Sequence, residues 1–178
     1  SDANWTYLGK ADQIVNVENF TGALNDDTIT GDSLANTLDG KAGNDILSGG
    51  ANDDRLLGGD DDDTLIGGTG SDILDGGAHN SGDWVEYTYV TDIYGVDIDL
   101  SAETASDMGV GTEVGNDTLL GIEHVVGTKN NDIIVGNDAQ NTLFGKAGDD
   151  IFQGGAGVDA IYGGDASSDE GNDTVSYA

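Results

Sequence analysis

Large apolar residues recur at every ninth position through the first half of the chain: Ile29, Leu38, Leu47, Leu56, Leu65, Leu74 and, after two extra residues, Val85. The flanking positions include Asp39, Arg55, Asp75 and Gln153, which suit an outer face, so the pattern reads as a short strand with one buried side. The series resumes at Ile134, Leu143, Phe152, Ile161 and, after another insertion, Val175. A three-residue strand is too short to stand alone and must stack on copies of itself. The six polar, Gly-rich residues between strands are ample for a turn. One strand and one turn reverse the chain, so two units make a coil of about eighteen residues, and coils stack as parallel strands about 4.8 Å apart. The expectation is an all-β parallel solenoid. Its eighth-position residues pack between two sheets, and its seventh and ninth positions face out.

The unit is written G-G-x-G-x-D-x-U-x, with U large and apolar. From residue 22 the chain divides without gaps into GALNDDTIT, GDSLANTLD, GKAGNDILS, GGANDDRLL, GGDDDDTLI, GGTGSDILD and the longer GGAHNSGDWVE. A second series begins at 127 with GTKNNDIIV, GNDAQNTLF, GKAGDDIFQ and GGAGVDAIY, then a unit with a five-residue insertion. Gly at the first, second and fourth places is expected to take positive φ. The substitutes Asn25, Asn52, Asn130 and Asp61 at the fourth place fit that constraint, because Asn and Asp tolerate the left-handed region best after Gly. NTLDGKAGNDI at 36–46 matches NTLFGKAGDDI at 141–151, so the two arrays are copies of one module at an offset of 105 residues. This divides the chain into an N-terminal strand segment (1–21), a first array (22–87), a connector (88–126) and a second array (127–178). The connector's YGVDIDL alternates as a strand. The sequence lacks an initiating Met and stops where the first copy would run into its connector, which reads as a piece of a larger array.

The formal net charge is −30, and of the 35 acids only six are Glu and 29 are Asp. Asp is the shorter acid, favoured in tight turns and as an oxygen ligand of hard cations. Such charge with modest apolar content predicts disorder unless the acids are neutralised. It also opposes contact with nucleic acid or an anionic membrane, and no stretch is long and apolar enough for a membrane span. There is no Cys and no Pro, which removes disulfides, thiolate chemistry and Pro-rich linkers.

In the expected solenoid, units two apart place their turns on the same edge. Asp27, Asp45, Asp63 and Asp83 line one edge; Asn36, Asp54 and Asp72 line the other. Carboxylates roughly 5 Å apart in a poorly solvated turn repel strongly. The stack therefore needs a cation, and a donor set of carboxylates and turn carbonyls suits Ca²⁺, which takes six to eight oxygens in flexible geometry.

GGTGSDILD, GKAGDDIFQ and GGAGVDAIY resemble the RTX, or haemolysin-type, calcium-binding nonapeptide repeat. The resemblance implies a parallel β-roll with several Ca²⁺ ions held between turns of alternate units. It implies carboxylates from the sixth positions: Asp27, Asp45, Asp54, Asp63, Asp72 and Asp83, then Asp132, Asp150, Asp159 and Asp173, with Asn36 and Asn141 as weakened equivalents. It implies carbonyls from the turn positions Gly40, Ala42 and Asn44; Gly49, Ala51 and Asp53; Gly58, Asp60 and Asp62; Gly67, Thr69 and Ser71; Gly145, Ala147 and Asp149; and Gly154, Ala156 and Val158. It further implies type I secretion and an extracellular or cell-surface location, where calcium folds a chain exported unfolded.

Of the four acids at 60–63, only Asp63 is in phase; the others read as turn surface. His79 and His124, far apart in sequence, read as structural. Asp97 and Asp99 read as an outer face of a strand rather than an acid–base pair. Trp5, Trp84, Tyr87, Tyr89 and Tyr94 read as core closure, with glycan contact the other reading. No G-x-S-x-G or H-E-x-x-H motif appears, and the chain reads as a non-enzymatic module. Its alternative parents are a secreted protease, lipase or alginate epimerase carrying it as a tail, or a self-associating adhesin or surface-layer array.

Overall fold

The computed structural model describes residues 13–15, 18–91, 94–109, 113–164 and 171–176. Residues 1–12, with Trp5 among them, and the Tyr177-Ala178 end lie outside the described residues. Up to residue 87 the strands are β1 (Gln13–Val15), β2 (Asn19–Thr21), β3 (Thr28–Thr30), β4 (Thr37–Ala42), β5 (Ile46–Ala51), β6 (Arg55–Asp60), β7 (Thr64–Thr69), β8 (Ile73–Ala78) and β9 (Trp84–Glu86). There follow β10 (Val96–Asp99), β11 (Thr104–Asp107), β12 (Asn116–Leu120) and β13 (His124–Val126). The last five are β14 (Ile133–Val135), β15 (Thr142–Lys146), β16 (Ile151–Gln153), β17 (Ala160–Gly164) and β18 (Thr174–Ser176). No helix occurs among the described residues.

These strands form the expected parallel β-roll. One sheet has eight strands, in the order β1-β3-β5-β7-β9-β13-β15-β17. The other has ten, in the order β2-β4-β6-β8-β12-β11-β10-β14-β16-β18. The eighth-position residues stand in register between them. Ile29, Leu47, Leu65, Val85, Val125 and Leu143 form one wall. Phe20, Leu38, Leu56, Leu74 and Leu119 form the facing one, continued by Ile134 and Phe152. Nearly all are wholly buried, and each fully buried side chain contributes about 1.5–3 kcal/mol against exposure. Seventh-position Ile46, Ile73 and Ile151 face out.

The core continues into the connector: Tyr87 at the end of the first array and Val90, Val96, Ile98, Leu100, Val114 and Ile122 of the connector join the same buried cluster. YGVDIDL forms β10, with Asp97 outward and Asp99 accepting from Ser101 and Ala102 in the following turn. The eight-stranded sheet passes directly from β9 to β13, while the ten-stranded sheet takes in β12, β11 and β10 between β8 and β14. β11 is antiparallel to both its neighbours, an exception to the parallel stacking that the repeat implies. The two copies of the module come out half a coil apart: the strand of NTLDGKAG lies in the ten-stranded sheet as β4, and that of NTLFGKAG in the eight-stranded sheet as β15.

The structure departs from the expected turn in two ways. β4 to β8 extend to six residues, because the Gly-Gly-x that follows each apolar triplet keeps pairing in parallel register, as in Gly50↔Gly68 and Ala51↔Thr69. Positive φ occurs at the second place (Gly50, Gly59, Gly68, Gly77, and even Lys41 and Lys146) and the fourth (Gly43, Gly70, Asn52, Asp61), but not at the first, nor at Asn25 or Asn130. First-place glycines answer a different demand: a Cβ on Gly58 would meet Asp63 Oδ2 and stand 2.6 Å from the Gly76 carbonyl oxygen.

Leu65→Ala is expected to lower the unfolding free energy by about 2–5 kcal/mol. Ile46→Ala in the neighbouring strand, at a position 45% exposed, is expected to change it by less than about 1 kcal/mol. Urea unfolding in calcium measures both.

Candidate metal centre

From Asp45 onward the sixth-position carboxylates are fixed by the coil before them. Oδ1 of Asp45 accepts the Asp27 N–H at 2.6 Å, Oδ1 of Asp63 accepts that of Asp45 at 2.8 Å, and Oδ1 of Asp83 accepts that of Asp63 at 2.8 Å. The other edge repeats this from Asn36 to Asp54 at 2.7 Å and from Asp54 to Asp72 at 2.8 Å. In the second array the Asp132 N–H donates to Asp150 at 2.8 Å, Asp150 to Asp173 at 3.0 Å and Asn141 to Asp159 at 3.1 Å. Asp159 and Asp173 are half-buried, the rest of these carboxylates buried.

The second oxygen is the chemically open one. Oδ2 of Asp45, Asp54, Asp63, Asp72 and Asp83 is buried and accepts no hydrogen bond. A buried carboxylate oxygen without a partner is costly, and five in phase demand a common cause. Each lies over a first-place glycine, and the carbonyl oxygen of the next coil's first glycine borders the same space for Gly40, Gly49 and Gly58. The donors gathered there are all oxygens, which fits a hard cation such as Ca²⁺. Burial pushes the carboxyls of Asp45, Asp72 and Asp83 up to about 6 and those of Asp54 and Asp63 up to about 7, although the accepted N–H pulls each down. Neighbouring carboxylates add to the rise, Asp27 at Asp45 and both Asp45 and Asp83 at Asp63.

The amide equivalents have no such open oxygen. Oδ1 of Asn36 accepts the Asp32 N–H and that of Asn141 the Asn137 N–H, while Asn141 Nδ2 donates to the Glu123 carbonyl. Asp132 also differs: Thr128 donates through both its N–H and its hydroxyl, and Val96 through its N–H, so both oxygens are engaged. Burial still lifts its carboxyl to about 6.

The remaining turn residues lie as follows. Gly40, Gly49, Gly58, Gly67, Gly145 and Gly154 are buried. Ala42, Ala51, Asp60 and Thr69 close strands β4 to β7, while Ala147 and Ala156 sit in turns and Val158 is exposed. The fifth positions build a rim of their own: Asn44, Asp53, Asp62 and Asp149 accept through Oδ1 the N–H groups of Asp62, Ser71, Asn80 and Asn172. This rim points forward along the chain, opposite to the inner row. Asp62 accepts from Asn80, Ser81 and Gly82, which holds its carboxyl down to about 2.

Two members of the inner row were missed by sequence phase. Asp117 Oδ1 accepts the Asp72 N–H at 2.9 Å, and Glu123 Oε2 accepts that of Asp83 at 3.0 Å. Their signals were the short runs Asp117-Thr118-Leu119-Leu120 and Glu123-His124-Val125-Val126, each an acid two residues before a buried apolar position. Asp117 Oδ2 accepts the hydroxyl of the fully buried Tyr87, and burial lifts its carboxyl to about 8. Both ring nitrogens of His124 meet the backbone. Its Nδ1 accepts the Thr142 N–H, so Nε2 carries the proton and faces the Ser81 carbonyl. His79 is not isolated; it meets Asp83 and Glu123.

The family model of the RTX calcium-binding nonapeptide repeat matches residues 21–56, 30–65, 57–80, 114–151 and 135–169, more than half of the chain. The chain belongs to the RTX calcium-binding repeat family. No curated protein matches it. The RTX match from residue 114 takes in Asp117, in agreement with its place in the row. This is therefore a calcium-binding repeat module with a β-roll fold.

The raised carboxyls fix a pH dependence for the metal-free roll. A group with a higher pKa folded than unfolded stabilises fully below its unfolded value of 3.8, and that stabilisation is lost as pH rises through about 6 to 8. Asp62 works the other way, losing its contribution only as pH falls from 3.8 toward 2. Chelator-treated protein is expected to show more β signal in far-UV circular dichroism at pH 5 than at pH 8. Calcium should bind more weakly at pH 5, since protons compete for the same oxygens.

Proposed function

We propose that this RTX chain is a structural module that calcium folds outside the cell, as part of a protein exported unfolded by a type I system. The carrying observation is the set of buried Oδ2 atoms, each without a hydrogen-bond partner and each over a first-place glycine, with a glycine carbonyl beside those of Asp45, Asp54 and Asp63. Asp45, Asp54, Asp63 and Asp72 supply the main carboxylates. Asp27, Asp132, Asp150, Asp159 and Asp173 supply further ones, Asn36 and Asn141 mark weaker places, and the first, third and fifth turn positions supply carbonyls.

Without metal, the inner row places desolvated carboxylates one coil apart, and their repulsion opposes the stacking that the Leu ladder favours. Calcium removes the repulsion and ties each coil to the next, so binding free energy becomes folding free energy. Extracellular calcium modules commonly bind at roughly 10⁻⁴–10⁻³ M, a range met outside the cell and not in a cytosol. Export as a flexible chain and folding on arrival follow from that difference. The role is mechanical rather than catalytic, and it serves equally in the tail of a secreted enzyme or in a surface adhesin.

Calcium added to chelator-stripped protein at pH 7.5 is expected to give a cooperative coil-to-β transition with a fall in hydrodynamic radius, and Mg²⁺ is not. Asp63→Asn keeps an Oδ1 acceptor but removes the charge, and should raise the calcium midpoint about tenfold, roughly 1.4 kcal/mol. Asp60→Asn, at an exposed position, should leave it unchanged. A chain equally compact in excess chelator would refute the proposal.

A further inference from the structure

The seventh unit of the first array carries two extra residues, and its turn differs in donor chemistry from every other turn in the inner row. His79 Nδ1 lies 3.1 Å from Glu123 Oε2 and 3.7 Å from Asp83 Oδ2, with all three donor atoms within 4.8 Å of one another. Two donors each about 2.1 Å from a tetrahedral ion are roughly 3.4 Å apart, and the two nitrogen–oxygen separations bracket that value.

An ion pair alone does not account for this arrangement. Nδ1 can deliver one proton, and the nearer acceptor is Glu123, which leaves Asp83 Oδ2 fully buried with no hydrogen-bond partner. A single cation at the centre satisfies the imidazole nitrogen and both carboxylates together. His79 is about a third exposed, so water can complete the coordination.

The turn is also held in place. Asp62 accepts the N–H groups of Asn80, Ser81 and Gly82, and Asp61 accepts from Asn80 Nδ2 at 2.6 Å. Glu123 is fixed from the other side by the Asp83 N–H. The donors therefore sit on braced backbone rather than on a free loop.

We infer that His79, Asp83 and Glu123 form a separate site for a borderline transition-metal dication of the Zn²⁺ class, distinct in chemistry from the all-oxygen calcium places. An imidazole nitrogen with two carboxylates suits Zn²⁺, Co²⁺ or Ni²⁺ far better than Ca²⁺. The ion joins the turn that leads into β9 to the residue that leads into β13, so it cross-links the entries of two adjacent strands of the eight-stranded sheet. This does not rest on the calcium reading.

The test is Zn²⁺ titration by calorimetry into the full chain in millimolar Ca²⁺, with Co²⁺ absorption as a second readout. Circular dichroism monitors the fold separately. One zinc equivalent should bind in the presence of calcium, and Co²⁺ should give visible d–d bands. His79→Ala should weaken zinc binding at least tenfold and abolish the bands, while the calcium-induced circular dichroism stays as in the parent. Glu123→Gln should weaken zinc as well; if it does not fold, the His79 variant decides alone. Zinc binding that is absent in calcium, displaced by excess calcium, or unchanged in His79→Ala would overturn the assignment.

Discussion

The whole structure turns on one half-satisfied group, a buried aspartate that accepts a backbone N–H from the preceding coil through Oδ1 and holds Oδ2 clear of any protein donor. The first oxygen sets spacing and register, since the donor is the corresponding residue about eighteen positions earlier. The second is a buried carboxylate oxygen that no protein donor satisfies. A neutral amide takes neither role: the Oδ1 of Asn36 and of Asn141 accepts the N–H of Asp32 and Asn137 in its own unit, and Asn141 reaches the earlier coil through Nδ2, which donates to the Glu123 carbonyl. Glycine at the first place follows from the same group, because the carboxylate occupies the space that a β-carbon would need.

The apolar ladder and the aspartate row are complementary in kind. The ladder is wholly buried and non-directional, so it favours stacking without choosing which coil follows which. The inner row of carboxylates and the outer rim of fifth-position side chains give direction, one reaching back along the chain and the other forward. Each coil is thereby specified by both neighbours, a property of quasi-one-dimensional folds whose stability is a sum over adjacent repeats.

The β-roll was legible because a nine-residue period with Gly, Asp and one apolar residue at fixed offsets admits few solutions, and the in-register walls from Ile29 to Leu143 follow it. The aspartate at 63 stood out from its three neighbours by phase alone, and it alone of the four lies in the inner row. What could not be read came from long-range closure. Asp117 and Glu123 take their places because β12 returns to pair with β8 and β13 with β9, partners 45 and 40 residues distant. The antiparallel β11 has no repeat signal at all. The first-place glycines were assigned to backbone freedom, whereas contact with a carboxylate from the same unit decides them. His79 reads as structural from sequence because its partner Glu123 lies near the far end of the connector.

The connector shifts the second copy by half a coil. Equivalent residues of the two copies, such as Leu38 and Leu143, therefore lie on opposite walls rather than sharing one. Any bias of the repeat toward one side is cancelled by its duplicate: the amide of Asn36 on one flank is matched by that of Asn141 on the other. A rod built this way distributes its flaws evenly about its axis, and duplication lengthens it without giving it a weak side along which to bend.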